Sequence, residues 1–132
     1  KQVKKLKLIN KVMILGYKQN PYPYIKYSQI VVSTSEYEGY SNTVLESIIL
    51  NKKLFVFDVT GGNSEIFKSK CKFFLFKYSL ISEKYINYLS VKLKKILELP
   101  NKIEELQSLK DDILRKHDFN ERFIEYQNEL DG

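Results

Sequence analysis

Two glutamates bracket a glycine and a run of small polar residues: Glu38, Gly39, Tyr40, Ser41, Asn42 and Thr43, and then Glu46, eight positions after the first. These residue types suit recognition of a ligand that is both polyhydroxylated and phosphorylated. Gly39 lets the backbone approach a ligand with no Cβ in the way. If a helix starts near Asn42, the amides of about Ser41 to Val44 lack intrahelical partners and attract a phosphate or diphosphate through both donors and dipole. Glu46, on the first or second turn, is too far in to cap that helix, and its carboxylate can accept two hydroxyls of a ribose. Glu38 would meet a second polyol on the other side of the phosphates. The order along the site is then sugar, diphosphate, ribose. Spacing alone does not carry this reading, because with 16 acidic residues pairs eight apart arise by chance and helix-face glutamates are usually solvated. The context carries it: strand, acidic-Gly loop, helix, strand, then Gly61-Gly62 and Glu65.

Those residues need a strand before Glu38 and a helix after Gly39. The β-branched run Gln29-Ile30-Val31-Val32-Ser33-Thr34 predicts the strand, and a helix is expected over about residues 42–50, capped by Ser41 or Asn42. Asn51 follows its last turn, where the chain favours a left-handed residue. Three further strands are predicted: Lys11-Val12-Met13-Ile14-Leu15 closed by Gly16, Leu54-Phe55-Val56-Phe57-Asp58, and Lys72-Phe73-Phe74-Leu75-Phe76. Residues 1–8 read as the tail of a helix. Asn20-Pro21-Tyr22-Pro23 reads as a turn before a short helix through Tyr24 to Tyr27, and a second short helix is expected near Ser64-Glu65-Ile66. Beyond Phe76 the period becomes helical. Ile86, Leu89, Leu93, Ile96 and Leu97 form one stripe ended by Pro100. Asn101 with Glu104 resembles a capping pair for the next, formed by Ile103, Leu106, Leu109 and Ile113. A last helix from near Asp118 carries Phe119, Phe123, Tyr126 and Leu130. These stripes read as core and carry no chemistry. Strands alternating with helices predict an α/β fold with a mainly parallel, Rossmann-like sheet and a helical C-terminal tail, in which ligands bind beyond the carboxyl ends of the strands.

The 132 residues, 43% apolar, suit a single domain with one core. No apolar run approaches the roughly 18–20 residues that span a bilayer, and the start, Lys1-Gln2-Val3-Lys4-Lys5, lacks a signal-peptide pattern. A first residue other than Met suggests a processed or truncated chain. With Cys71 the only cysteine, neither an intrachain disulfide nor a thiolate cluster can form, which fits a reducing cytosol. His117, the only histidine, reads as a solvated surface residue. The net charge is +6, nearly all from Lys, with only Arg115 and Arg122 as Arg; no nucleic-acid motif accompanies it. The Lys excess goes with many Ile, Asn and Tyr, as compositional bias would produce. Attraction to an anionic membrane surface is its functional alternative.

The segment Ser33-Thr34-Ser35-Glu36-Tyr37-Glu38-Gly39-Tyr40-Ser41-Asn42-Thr43-Val44-Leu45-Glu46-Ser47 closely resembles the Glu-x7-Glu segment of family 4 retaining glycosyltransferases. Leu15-Gly16-Tyr17 with Asn20-Pro21-Tyr22 is similar to their strand-Gly turn, and Phe57-Asp58-Val59-Thr60-Gly61-Gly62-Asn63-Ser64-Glu65 to their Asp-x-x-Gly-Gly-x-x-Glu loop. Residues 119–130 resemble their terminal aromatic helix. The resemblance implies the C-terminal, donor-binding domain of a GT-B enzyme, in which two Rossmann-like domains face a cleft. It implies that Glu46 holds the ribose hydroxyls and that Glu38, the catalytic candidate, contacts the transferred sugar. Gly39, Tyr40, Ser41, Asn42 and Thr43 would line sugar and diphosphate, with Gly16 and Tyr17 near the base. The expected enzyme is metal-independent and takes no cofactor, and it moves sugar from a nucleotide sugar, UDP-linked by analogy, to a saccharide or lipid-linked acceptor in surface polysaccharide or glycan synthesis.

Such an enzyme is expected in the cytoplasm or at the inner face of the membrane. Tyr40 and Ser41 stand where the family often has Phe and Gly, which makes the pocket tighter or more polar. Asn51 and Lys53 replace a common Gly and Pro. The family's first strand–helix units and its acceptor domain are expected to be absent here, leaving the diphosphate-gripping cations unidentified and the edge of Ile30-Val31-Val32-Ser33 open. Val12-Met13-Ile14-Leu15 is expected to fill that edge, and a dimer through it is the alternative. A sugar-nucleotide epimerase of the same architecture and a non-catalytic nucleotide-binding module are the competing functional readings.

Overall fold

The computed structural model describes residues 1–59, 62–67, 70–79 and 82–116. Along the chain come α1 (Gln2–Lys5), α2 (Tyr22–Tyr27), β1 (Ile30–Ser33), α3 (Asn42–Ile49), β2 (Lys53–Asp58), α4 (Asn63–Phe67), β3 (Leu75–Lys77), α5 (Glu83–Glu98) and α6 (Glu104–Lys116). The strands form one parallel sheet in the order β1-β2-β3. Ile30 lies opposite Lys53 and Ser33 opposite Val56, while Val56 lies opposite Leu75 and Asp58 opposite Lys77. Parallel neighbours need crossover connections, which α3 and α4 supply. The expected α/β class is the one observed.

β2 is the middle strand, and Lys53 through Phe57 are all buried. Its unbroken apolar run follows from this, since a strand covered on both faces has no solvent side on which to place polar residues. Alternation puts Leu54 and Val56 on one face and Phe55 and Phe57 on the other. Phe55 stacks on Phe76 at 4.3 Å between ring centroids, and Phe57 meets Tyr78 edge-on at 5.8 Å. The same core takes Val44 and Ile48 from α3, Phe67 from α4, Phe74, and Leu106, Leu109 and Ile113 from α6. Buried Ser47 is accommodated because its hydroxyl donates to the Thr43 carbonyl at 2.6 Å.

α5 is capped by Ser82, whose hydroxyl oxygen accepts from the Tyr85 amide at 3.2 Å, and it stops before Pro100. Its final carbonyls are met by Lys53, a buried lysine at the start of β2. The Lys53 ammonium donates to the Leu97 oxygen at 2.9 Å and to the Leu99 oxygen at 2.5 Å. A cation is favourable at a helix C-terminus, and here it fastens α5 to the central strand. Lys53→Met is expected to keep the packing and lose these bonds, destabilising the fold by about 1.5 kcal/mol. Urea unfolding checks it; an unchanged midpoint would remove Lys53 from the list of stabilising residues.

Several expectations are corrected. Residues 11–16 form no strand. Val12 donates its amide to the Leu8 carbonyl at 3.0 Å, a turn bond in place of a ladder bond, and Met13 and Ile14 are 81% and 84% exposed. A strand exists only against a partner, and this run does not occupy the slot beside β1. Among the described residues no backbone hydrogen bond reaches the outer side of β1. α2 starts at Tyr22, not Tyr24, because Pro21 and Pro23 fall where a first turn needs no donor. The fourth predicted strand is reduced to β3, since residues 72–74 form a 3-10 turn after a left-handed Cys71 (φ 55°). α6 opens at Glu104 with Ile103 receiving the first bond, from the Gln107 amide at 3.0 Å, so Asn101 lies outside it. Asn51 is left-handed as expected (φ 54°). The last predicted helix and His117 lie outside the described residues.

Candidate functional site

Parallel strands deliver their exit loops to one end of the sheet, the end at which such folds bind ligands. Three parts of the chain meet there: residues 34–41 after β1, Gly62 from the loop after β2, and Tyr78 after β3. Their contacts show it. The Tyr78 hydroxyl donates to Glu36 Oε1 at 2.7 Å, which pushes the phenol pKa up. Gly62 lies against the backbone of Gly39, where a Cβ would overlap the Gly39 carbonyl group.

α3 begins at the centre of this end. Ser41 is its N-cap, in extended conformation, but its side chain makes no capping hydrogen bond. The expectation of a serine or asparagine cap is therefore met in position and not in bonding. The first helical amides lack helical acceptors, and among the described residues no other backbone acceptor is recorded for Asn42, Thr43 or Val44. Ser41 is buried, while Asn42 and Thr43 are exposed. At Asn42 and Thr43 the terminus therefore faces solvent with its partial positive charge, while Val44 behind them is fully buried.

Glu46 lies one turn into α3 and is half-buried. Its Oε1 accepts from the Tyr22 hydroxyl at 3.1 Å. Burial raises its carboxyl pKa, and the Tyr22 bond acts in the opposite direction. The tyrosine itself is set by its own helix start, where Asn20 Oδ1 accepts from the Tyr22 amide at 3.0 Å. Tyr22 was visible in the sequence only as part of a turn. Its partnership with Glu46, 24 residues away, has no local signature.

Glu38 is half-buried on the loop, and Gly39 and Tyr40 beside it are exposed. A Cβ on Gly39 would meet nothing within 4 Å, so the packing of the described chain does not demand glycine there. Gly16 is left-handed (φ 65°), a conformation that favours glycine. Tyr17 is 92% exposed, and among the described residues no hydrogen bond or ring contact ties it to the α3 terminus. Glu38 to Ser41 thus form the loop leading into α3, Asn42 and Thr43 its first turn, and Glu46 the next, while no hydrogen bond or ring contact among the described residues ties Gly16 or Tyr17 to them.

At the far side of the loop after β2, Asn63 donates to the Phe57 carbonyl at 2.9 Å, and its buried Oδ1 has no partner among the described residues. Among those residues no group of three His, Cys, Asp or Glu side chains could hold a metal ion, and no helix is long and apolar enough to cross a membrane. Buried Cys71 has its thiol pKa pushed up to about 11, first by burial, which keeps it inert as a nucleophile.

Comparison with known proteins supplies a family. Glycosyl transferases group 1 match residues 1–129. An uncharacterized glycosyltransferase of Methanocaldococcus jannaschii is 39% identical over 64 residues, 48% of this chain and 16% of that protein. The N-acetylgalactosamine-N,N'-diacetylbacillosaminyl-diphospho-undecaprenol 4-alpha-N-acetylgalactosaminyltransferase of Campylobacter jejuni is 34% identical over 65 residues, 49% of this chain and 18% of that protein. The matched stretch is thus less than a fifth of either curated relative's length. No solved structure matches.

Proposed function

The chain belongs to the group 1 glycosyltransferases, and from that membership we propose that it is the donor-binding part of a retaining enzyme of the GT-B kind. The full-length protein moves a hexosyl or N-acetylhexosaminyl group from a nucleotide sugar, UDP-linked, to a saccharide or lipid-linked acceptor in glycan synthesis. One observation supports this most: an unbonded helix terminus lies between a loop glutamate, Glu38, and a helix glutamate, Glu46, that a tyrosine holds in place. The relative from Campylobacter jejuni, whose name states transfer of N-acetylgalactosamine to a diphospho-undecaprenol-linked acceptor, supports the lipid-linked arm of the proposal.

In this reading the diphosphate sits on the amides of Asn42 to Val44, where donors and dipole stabilise the charge of the departing group. Glu46 takes the ribose hydroxyls and Glu38 the transferred sugar, lined by Gly39, Tyr40, Ser41 and Thr43. Gly16 and Tyr17 lie toward the base. Chemistry proceeds without metal or cofactor. Incubating the full-length protein with labelled UDP-sugars and saccharide or lipid-linked acceptors tests it. Transfer to an acceptor is expected; epimer formation without an acceptor, or nucleotide binding without turnover, would overturn it.

Tyr22→Phe should weaken UDP binding by about three- to tenfold, because the Glu46 carboxylate loses the partner that fixes its position and a poorly placed acceptor forfeits about one ribose hydrogen bond, roughly 0.5–1.5 kcal/mol. It also removes the contact that opposes the effect of burial, so the Glu46 pKa rises further. The carboxylate accepts hydroxyls best when charged, and falling pH protonates it. The affinity gap between wild type and Glu46→Gln should therefore close at a higher pH than for a solvated glutamate, and at a higher pH still in the Tyr22→Phe background. Calorimetry with UDP across pH measures both; a gap independent of pH would separate Glu46 from the nucleotide.

A further inference from the structure

The loop that carries Glu38 is fastened from outside at two points. Gly62, from the loop after β2, approaches the Gly39 carbonyl so closely that a Cβ would overlap it and also stand 3.1 Å from the Tyr40 nitrogen. Both sides of this contact are backbone, so no rotamer change relieves the overlap. Gly62 is not among the left-handed glycines, so close approach, and not conformational freedom, is what excludes a larger residue. On the other side of Glu38, the Tyr78 hydroxyl holds Glu36 at 2.7 Å. The Tyr78 ring is itself packed edge-on against Phe57 of the central strand. Glu38 lies between these two fixed points, two residues after one and one residue before the other. Glu46 has a separate anchor in Tyr22 of α2, so the two glutamates are located by different parts of the fold.

We propose that Gly62 and Tyr78 are positioning residues that set the Glu38 carboxylate against the transferred sugar and leave nucleotide affinity to Glu46 and the α3 terminus. This rests on the reading in which Glu38 faces the sugar and Glu46 the ribose. Neither residue touches the substrate; each acts through the loop backbone. A displacement on the order of 1 Å at a reacting group costs up to about a hundredfold in rate, so the effect belongs in turnover.

The test uses the full-length enzyme and four variants: Gly62→Ala, Tyr78→Phe, Glu38→Gln and Glu46→Gln. Calorimetry with UDP counts competent sites and gives Kd, and kcat is then expressed per UDP-binding site, which removes any loss from misfolding. Gly62→Ala is expected to lower kcat per site by about tenfold or more and Tyr78→Phe by about threefold or more, with UDP Kd within about twofold of wild type. Each residue is judged by its own variant. Unchanged kcat per site overturns its assignment, and so does a Kd that weakens in step with kcat. Should Gly62→Ala show no UDP-binding sites, Tyr78→Phe decides alone. If Glu38→Gln and Glu46→Gln also leave kcat and Kd at wild-type values, the underlying reading of the site falls, and not only this inference.

Discussion

The 132-residue chain, purified alone, is expected to transfer no sugar to any acceptor. At the proposed reaction centre Gly39 has no neighbour within 4 Å of where a Cβ would stand, and Asn42 and Thr43 are exposed. Glycosyl transfer needs the acceptor hydroxyl held at the anomeric carbon and bulk water kept away from it. The described residues provide a floor for such a centre and no opposite wall. A donor bound here would lie open to solvent, with nothing to orient the incoming group. The relatives are matched over less than a fifth of their length, leaving ample chain in them for that wall. A radiolabelled-sugar assay with and without acceptor checks this, and transfer by the isolated chain would contradict it.

Glu46→Gln in the full-length enzyme should weaken UDP binding by about tenfold or more, since a charged hydrogen bond contributes roughly 1.5–3 kcal/mol. Glu38→Gln should weaken it less and lower turnover and sugar discrimination instead. The substitution at Glu46 should not cost stability. Its carboxyl pKa is raised in the fold, so the folded state binds the proton more tightly than the unfolded state does. The resulting penalty on folding is absent at low pH and grows as pH rises from the ordinary carboxylate value through the raised one. At neutral pH the neutral amide escapes that penalty, and the variant's Tm is expected to be no lower than that of wild type. Loss of binding without loss of stability marks a residue kept for its ligand. Equal UDP affinity in wild type and Glu46→Gln would remove the ribose assignment.

What could be read from the sequence were features set by local chemistry. The runs Ile30-Val31-Val32-Ser33 and Leu54-Phe55-Val56-Phe57 are rich in β-branched or aromatic residues, and each lies in a strand. The α3 boundaries and the left-handed Asn51 follow from capping preferences and spacing. The errors arose where a partner decides the outcome. Val12-Met13-Ile14-Leu15 is as apolar as the true strands, but an apolar run becomes a strand only by pairing, and this one pairs with no strand among the described residues. Lys72-Phe73-Phe74 was shortened out of its strand by a left-handed turn at Cys71, a residue type with no preference for that conformation. Likewise the two glutamates were visible as a motif, whereas the groups that hold the site in place were not. Tyr22, Tyr78 and Gly62 act over long separations in the chain, through a hydroxyl or the absence of a Cβ, and neither leaves a periodic trace.

The most direct measurement is a crystal structure of the full-length protein with UDP bound. The account predicts diphosphate oxygens within hydrogen-bonding distance of the amides at the start of α3, among Asn42, Thr43 and Val44, and ribose hydroxyls on the Glu46 carboxylate with Tyr22 still in place. A diphosphate held elsewhere, or a ribose away from Glu46, would contradict it.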